Sequence, residues 1–148
     1  MLQKSSVLLT LENFFRSPTK EHYLMDISRK IGLAHTSVKK NLDKLVKLGI
    51  IKETVEKKGS RKFPIYKADT SNNLFKKYKC IYNLTSIIES NLIRFIEEKL
   101  APKSIVVFGS YQRGEDTEES DIDIFVECKK EKLELDKFEQ KLARKIQL

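Results

Sequence analysis

Residues 105–126 read Ile105-Val106-Val107-Phe108-Gly109-Ser110-Tyr111-Gln112-Arg113-Gly114-Glu115-Asp116-Thr117-Glu118-Glu119-Ser120-Asp121-Ile122-Asp123-Ile124-Phe125-Val126. The apolar run Ile105 to Phe108 predicts a buried strand that enters a tight turn at Gly109-Ser110. After ten residues, Asp121-Ile122-Asp123 opens a second strand. A period of two puts both carboxylates on one face, with Ile122, Ile124 and Val126 on the other. Carboxylates roughly 7 Å apart along a strand can converge on a divalent cation. Without a cation or protons between them their charges repel. Gly109 lets the backbone approach a ligand closely. The N–H groups that follow, with the Ser110 hydroxyl, can hold phosphate oxygens, and Arg113 adds a positive charge. These residue types in this order predict a site for a divalent metal and a triphosphate.

On the C-terminal side, residues 132–146 predict an amphipathic helix with Leu135, Phe138, Leu142 and Ile146 inward. On the N-terminal side, a long helical stretch runs from a cap at Thr70 or Ser71 to Leu100, with a break near Asn83. Its expected buried stripe is Leu74, Tyr78, Ile81, Ile88, Leu92, Phe95 and Ile96, and Pro102 ends it. Further upstream, Val7, Leu8, Leu11, Phe14 and Phe15 mark a first helix, stopped by Ser17-Pro18-Thr19. Thr19 caps a second helix, with Leu24, Ile27 and Ile31 inward and Gly32 at its end. A third runs from Thr36 to Leu48, with His35 at its start. Strands follow at residues 50–55 and 63–67, joined by a basic turn over residues 57–62. Pro64 assigns the second strand to an edge.

The order helix, helix, helix, basic hairpin over residues 5–69 resembles a winged helix-turn-helix domain. With Val38, Leu42 and Leu45 inward, 100° per residue turns Thr36, Lys40 and Lys47 outward, flanked by Ser37 and Lys44. The resemblance implies double-stranded DNA as a partner. Thr36 and Ser37 then meet bases or phosphates, and Lys40 and Lys44 neutralise phosphates. The hairpin cations Lys57, Lys58, Arg61 and Lys62 follow the backbone or minor groove. Charge agrees. Residues 1–69 carry fifteen Lys/Arg against seven Asp/Glu, and residues 70–148 carry fourteen of each, so the first half holds the whole net charge of +8.

The chain has 148 residues, 40% of them hydrophobic and 34% charged, the composition of a globular protein. No apolar run is long enough to span a bilayer, and the first residues lack the apolar core of a signal peptide. Two cysteines without a CxxC exclude a disulfide framework or a structural zinc site, and two histidines leave no His-based metal centre. The expected location is cytoplasmic, with no membrane partner.

Gly109-Ser110, ten residues, then Asp121-x-Asp123 resembles the polymerase-beta-type nucleotidyltransferase superfamily, most closely its minimal, MNT-type members. Arg113-Gly114 and Ser120 match the same pattern, while Tyr111 stands where that family often has Arg. The resemblance implies catalytic, metal-binding carboxylates at Asp121 and Asp123. It places the nucleotide on Gly109, Ser110, Arg113, Gly114 and Ser120. It also implies a third carboxylate from a later strand, for which Glu127, Glu131, Glu134, Asp136 and Glu139 are poorly placed. The domain is then degenerate, a truncated piece, or completed by a partner.

The expected fold class is α+β: a winged helix-turn-helix (1–69), a connecting helix (70–101) and a short, incomplete nucleotidyltransferase-like α/β domain (102–148). Two functions remain open. One is a DNA-binding transcriptional regulator, antitoxin-like with a HEPN-type protein partner, that binds Mg-nucleoside triphosphate. The other is an active enzyme transferring a nucleoside monophosphate to a hydroxyl. The long apolar stripe and the paired half-sites that winged helices read predict a homodimer.

Overall fold

The computed structural model describes residues 3–148 and has the mixed α+β layout expected. It divides into two compact units, Met1–Phe75 and Lys76–Leu148.

The first unit begins with α1 (Ser6–Arg16), capped by the Ser5 hydroxyl, which accepts from the Leu8 N–H. Its apolar positions bury Leu11, Phe14 and Phe15. Helix α2 (Leu24–Ile31) starts later than a Thr19 cap implies. The reason lies in His22, whose backbone exchanges hydrogen bonds with that of Tyr66, so the chain is extended there before it can turn helical. Gly32, in the left-handed region at φ 66°, ends α2. Helix α3 (His35–Lys47) turns Val38, Leu42 and Leu45 inward, as the spacing requires.

Strands β1 (Ile51–Lys58) and β2 (Arg61–Ala68) form an antiparallel hairpin with Lys57 opposite Lys62 and Lys58 opposite Arg61. The connection is therefore only Gly59-Ser60, and the four cations stand on the ladder rather than in a loop. Two-residue turns match the twist of the paired strands, and Gly59 at φ 63° supplies the conformation they need.

Helix α4 (Asn73–Ser90) is capped by Asn72, whose side-chain oxygen accepts from the N–H groups of Leu74 and Phe75, not by Thr70 or Ser71. The break expected near Asn83 lies instead at Asn91, in the left-handed region at φ 65°. Asn tolerates that conformation, and the Ser90 hydroxyl accepts from the Leu92 N–H across the break. Helix α5 (Leu92–Leu100) follows. The expected stripe holds only from Leu92 onward. Leu74, Tyr78, Ile81 and Ile88 face solvent, and Phe75, Lys79, Asn83, Ile87 and Ser90 are the buried positions of α4.

The second unit's sheet is β3 (Ile105–Phe108), β4 (Ile122–Val126) and β5 (Ile146–Gln147), in that order. Strands β3 and β4 are antiparallel, and β5 lies parallel to β4 with Ile122 opposite Ile146 and Asp123 opposite Gln147. Short α6 (Gly109–Arg113) follows β3, and α7 (Asp136–Leu142) precedes β5. The helix expected through Ile146 stops at Leu142, because Ala143 turns left-handed and Ile146 pairs with β4. Ile87, Leu92, Ile96, Tyr111, Ile122, Ile124, Phe138 and Ile146 make the core. Strand β3 is not buried on both faces: Val106 and Phe108 are exposed beside Phe125.

Candidate functional site

The acid pair stands on the open face of this sheet. Ile122 and Ile124 point into the core, so alternation turns Asp121, Asp123 and Phe125 the other way. Phe108 lies directly across from Asp123, and the chain then turns at Gly109 into α6.

Gly109 is the tightest point. At φ 76° it adopts a conformation that disfavours other residues, and an added Cβ would collide with the Asp123 Oδ2. Asp123 thus rests its carboxylate against the backbone that begins α6. As the first turn of that helix, Gly109, Ser110 and Tyr111 offer N–H groups without an intrahelical acceptor. Gly114, at φ 68°, does a different job. Its missing side chain lets the end of α6 press on the Lys76 carbonyl and the Cys80 N–H of α4.

Arg113 is exposed, and its Nε donates to Glu115 at 2.8 Å, an ion pair shared with Lys76 at 3.1 Å. These hydrogen bonds hold the Glu115 carboxyl below its ordinary range, Arg113 foremost. The Ser120 hydroxyl accepts from the Thr117 N–H at 2.9 Å and so braces the turn before Asp121. Burial pushes the Tyr111 phenol well above its ordinary value.

Two features were not read from the sequence. The first is Gln147, whose Nε2 donates to Asp121 Oδ2 at 2.8 Å. It is the β5 residue opposite Asp123, so a neutral amide on the neighbouring strand adjoins the acid pair. The signal was the alternation Ile146-Gln147-Leu148 after the helix, two residues too short to separate from the helix's own period. The second is a buried ionic cluster under α6. Lys79 Nζ donates to the carboxylate and carbonyl of Asp116, Asn83 Nδ2 donates to Asp116 Oδ1 and the Tyr111 carbonyl, and Arg144 lies 3.4 Å from Asp116 Oδ2. Burial lowers the Lys79 ammonium from its ordinary range, and Asp116 opposes the shift. The sequence signal was Lys79 and Asn83 on the same face as Ile87, at a spacing of four.

A groove of about 540 Å³ beside Asp121 is lined by Glu118, Glu119, Ser120, Asp121, Glu139 and Arg144 among others. Among the described residues, no group of three or more His, Cys, Asp or Glu side chains is placed to hold a metal. Asp121 and Asp123 nevertheless fit a divalent cation whose remaining oxygens come from a ligand: they share a face, and Gly109 leaves the room that a side chain would fill.

In the first unit, Thr36, Ser37, Lys40, Lys44 and Lys47 are exposed along the outer face of α3. The hairpin cations fall on two faces. Lys57 pairs across with Lys62, and Lys58 with Arg61. Lys58 is held by Glu56 at 3.4 Å and lies 5.3 Å from the centre of the Tyr23 ring. The Tyr23 hydroxyl also donates to Glu56 at 2.7 Å, tying β1 to the start of α2.

Among known families, the profile described as "Nucleotidyltransferase domain" matches residues 89–148, a stretch that includes this site. Two Methanocaldococcus jannaschii proteins named as protein adenylyltransferases, MJ1379 and MJ0128, are 62% and 59% identical over 34 residues. That stretch is 23% of this chain and spans about a third of the relatives' own length, 34% and 35%. A solved structure from Methanosarcina mazei Go1, described as a possible transcriptional regulator, aligns at 20% identity with a TM-score of 0.46 over 65% of this chain and 76% of that one. No helix among the described residues is long and apolar enough to cross a membrane.

Proposed function

We propose that this chain is a DNA-binding regulator whose second unit binds a nucleoside triphosphate with a divalent cation. The observation that carries the nucleotide half is the seat of Asp123 against Gly109, with Asp121 on the same face. Asp121 and Asp123 would hold Mg²⁺ or Mn²⁺, which when bound neutralises the triphosphate and makes its phosphorus electrophilic. Ser110 and the N–H groups at the start of α6 take phosphate oxygens, and Arg113 reaches them by leaving Glu115. Ser120 and Gly114 act on the loop: one braces the turn into Asp121, the other seats α6 on α4.

Gln147 decides how far the chemistry goes. Its amide offers Asp121 a donor and adds no third negative charge to the acid pair, but it cannot accept a proton from an attacking hydroxyl. The residues present therefore favour binding over turnover, and the nucleotide serves as a signal in an antitoxin-like, autoregulating protein with a HEPN-type partner. The winged helix-turn-helix reading of the first unit is supported by exposed Thr36, Ser37, Lys40 and Lys44 on α3 and by a hairpin tip of like charge.

The names of the Methanocaldococcus relatives favour a second reading. Here the chain transfers adenylate: a protein hydroxyl oxygen bonds to the α-phosphorus and gives its proton to water, the bond from that phosphorus to the α,β-bridging oxygen breaks, and pyrophosphate leaves. Equilibrium dialysis with Mn²⁺ and labelled ATP, followed by a transfer assay with and without a partner, separates the readings. We expect Mn²⁺-dependent binding, lost in Asp121→Asn and Asp123→Asn, with little transfer. Metal-independent binding would remove the site. Robust transfer by the chain alone, lost in Asp123→Asn, would establish the enzyme.

A further inference from the structure

Helix α4 carries two opposite faces. Lys79, Asn83 and Ile87 are buried within the second unit. On the other side, Tyr78, Ile81, Thr85 and Ile88 recur at steps of three, four and three, the seam of a coiled coil. Tyr78 is 44% exposed, Ile81 62% and Ile88 60%, with Leu84 beside them at 54%. Such a row of large apolar side chains is unusual on a chain with 34% charged residues, and it interrupts the solvated surface without a charged member.

We propose that a second copy of this chain covers the row with its own α4, antiparallel, across a two-fold axis near residues 83–84. A seam of this spacing needs a partner helix with the same spacing, and a two-fold axis supplies one automatically. Orientation follows from the flanks. In heptad terms Leu84 is a g position and Glu89 an e position. Parallel helices set g against e of the partner, which would press Leu84 on a carboxylate. Reversing one helix sets g against g, so Leu84 meets Leu84 of the second copy and the apolar surface closes on itself. Tyr78 then lies level with Ile88, and Ile81 with Thr85. An 18-residue helix is about 27 Å long, so the pairing is modest and sensitive to single charges.

The full chain tests this in two ways. Sedimentation should give a dimer at tens of micromolar, and Ile81→Glu with Ile88→Glu should raise the dissociation constant at least about tenfold with an unchanged circular dichroism spectrum. A parent that stays monomeric there, or a double variant that remains dimeric, overturns the proposal. Independently, with Cys80→Ser and Cys128→Ser as background, Leu84→Cys should cross-link to itself under mild oxidation, whereas Glu89→Cys should not. This variant adds no buried charge, so it reads the interface even if the glutamates disturb folding. Failure of Leu84→Cys to cross-link, or equal cross-linking at both positions, rejects the antiparallel pairing.

Discussion

Asp123 has its place because residue 109 has no side chain. Gly109→Ala puts a methyl group where the carboxylate rests and forces a left-handed φ on a residue that resists it by about 1–2 kcal/mol. We expect Mn²⁺-dependent ATP binding to fall at least about tenfold while the fold survives, measured by dialysis beside circular dichroism. Asp116 is a different case, since its role is to keep a buried ammonium company. Lys79 is wholly buried and reaches the carboxylate and carbonyl of Asp116. Removing one partner of such a pair typically destabilises by about 3–5 kcal/mol. Asp116→Ala should show a loss of that order in urea denaturation, and restoring a neutral site with Lys79→Met should recover part of it. The Gly109-Ser110 and Asp121-x-Asp123 pattern is visible in the sequence because each residue sits at a fixed offset along the chain. Gln147, Lys79 and Asp116 were not, since their importance depends on strand register and burial, which bring together residues 26 and 37 positions apart.

At the level of elements, the hairpin and the last strand each carry a prediction. The hairpin cations divide into two faces, and one of the four is already engaged: Lys58 by Glu56 and the Tyr23 ring. Lys57→Ala with Lys62→Ala should therefore reduce the slope of log DNA affinity against log salt by nearly two contacts' worth, about 0.9 each. Lys58→Ala with Arg61→Ala should reduce it less. Equal slopes for the two pairs in a fluorescence-anisotropy salt series would refute this division. In the second unit, Glu139 holds the approach to β5, accepting from the Ile146 N–H at 3.0 Å and the Lys145 ammonium at 2.7 Å. Lys145 first, then that N–H, keep its carboxyl below the ordinary glutamate range. A depressed carboxylate stabilises the fold above its unfolded pKa, about 4.3, and that contribution is lost as pH falls through the lower, folded value. Thermal unfolding of the parent should thus weaken more steeply below about pH 4.3 than that of Glu139→Gln. The hairpin, the three helices before it and the strands β3 and β4 could all be read from periodicity. The ends of elements could not: His22 is extended by a distant partner, Tyr66, and the α4–α5 break falls at Asn91, where the neighbouring Ser90 bridges it.

For the molecule as a whole, the two proposed activities occupy different units, Met1–Phe75 and Lys76–Leu148. Asp121→Asn and Asp123→Asn should abolish nucleotide binding and leave DNA affinity within about twofold at fixed salt, while the wing variants should do the reverse. A DNA affinity that collapses with the aspartate variants would show that the activities are not separable. Within the second unit separation is harder. The segment that carries Ser110 and Arg113 is fastened to α4 at several points, among them Gly114 against the Lys76 carbonyl and Cys80 N–H, Asn83 to the Tyr111 carbonyl, and Lys79 to Asp116. The opposite side of that same helix is the apolar row. If a bound triphosphate displaces α6, these contacts carry the movement to α4, and any factor by which nucleotide changes the proposed self-association equals the factor by which self-association changes nucleotide affinity. Concentration would then act as an effector: the same nucleotide level would fill the site to different extents in sparse and in crowded populations of the chain.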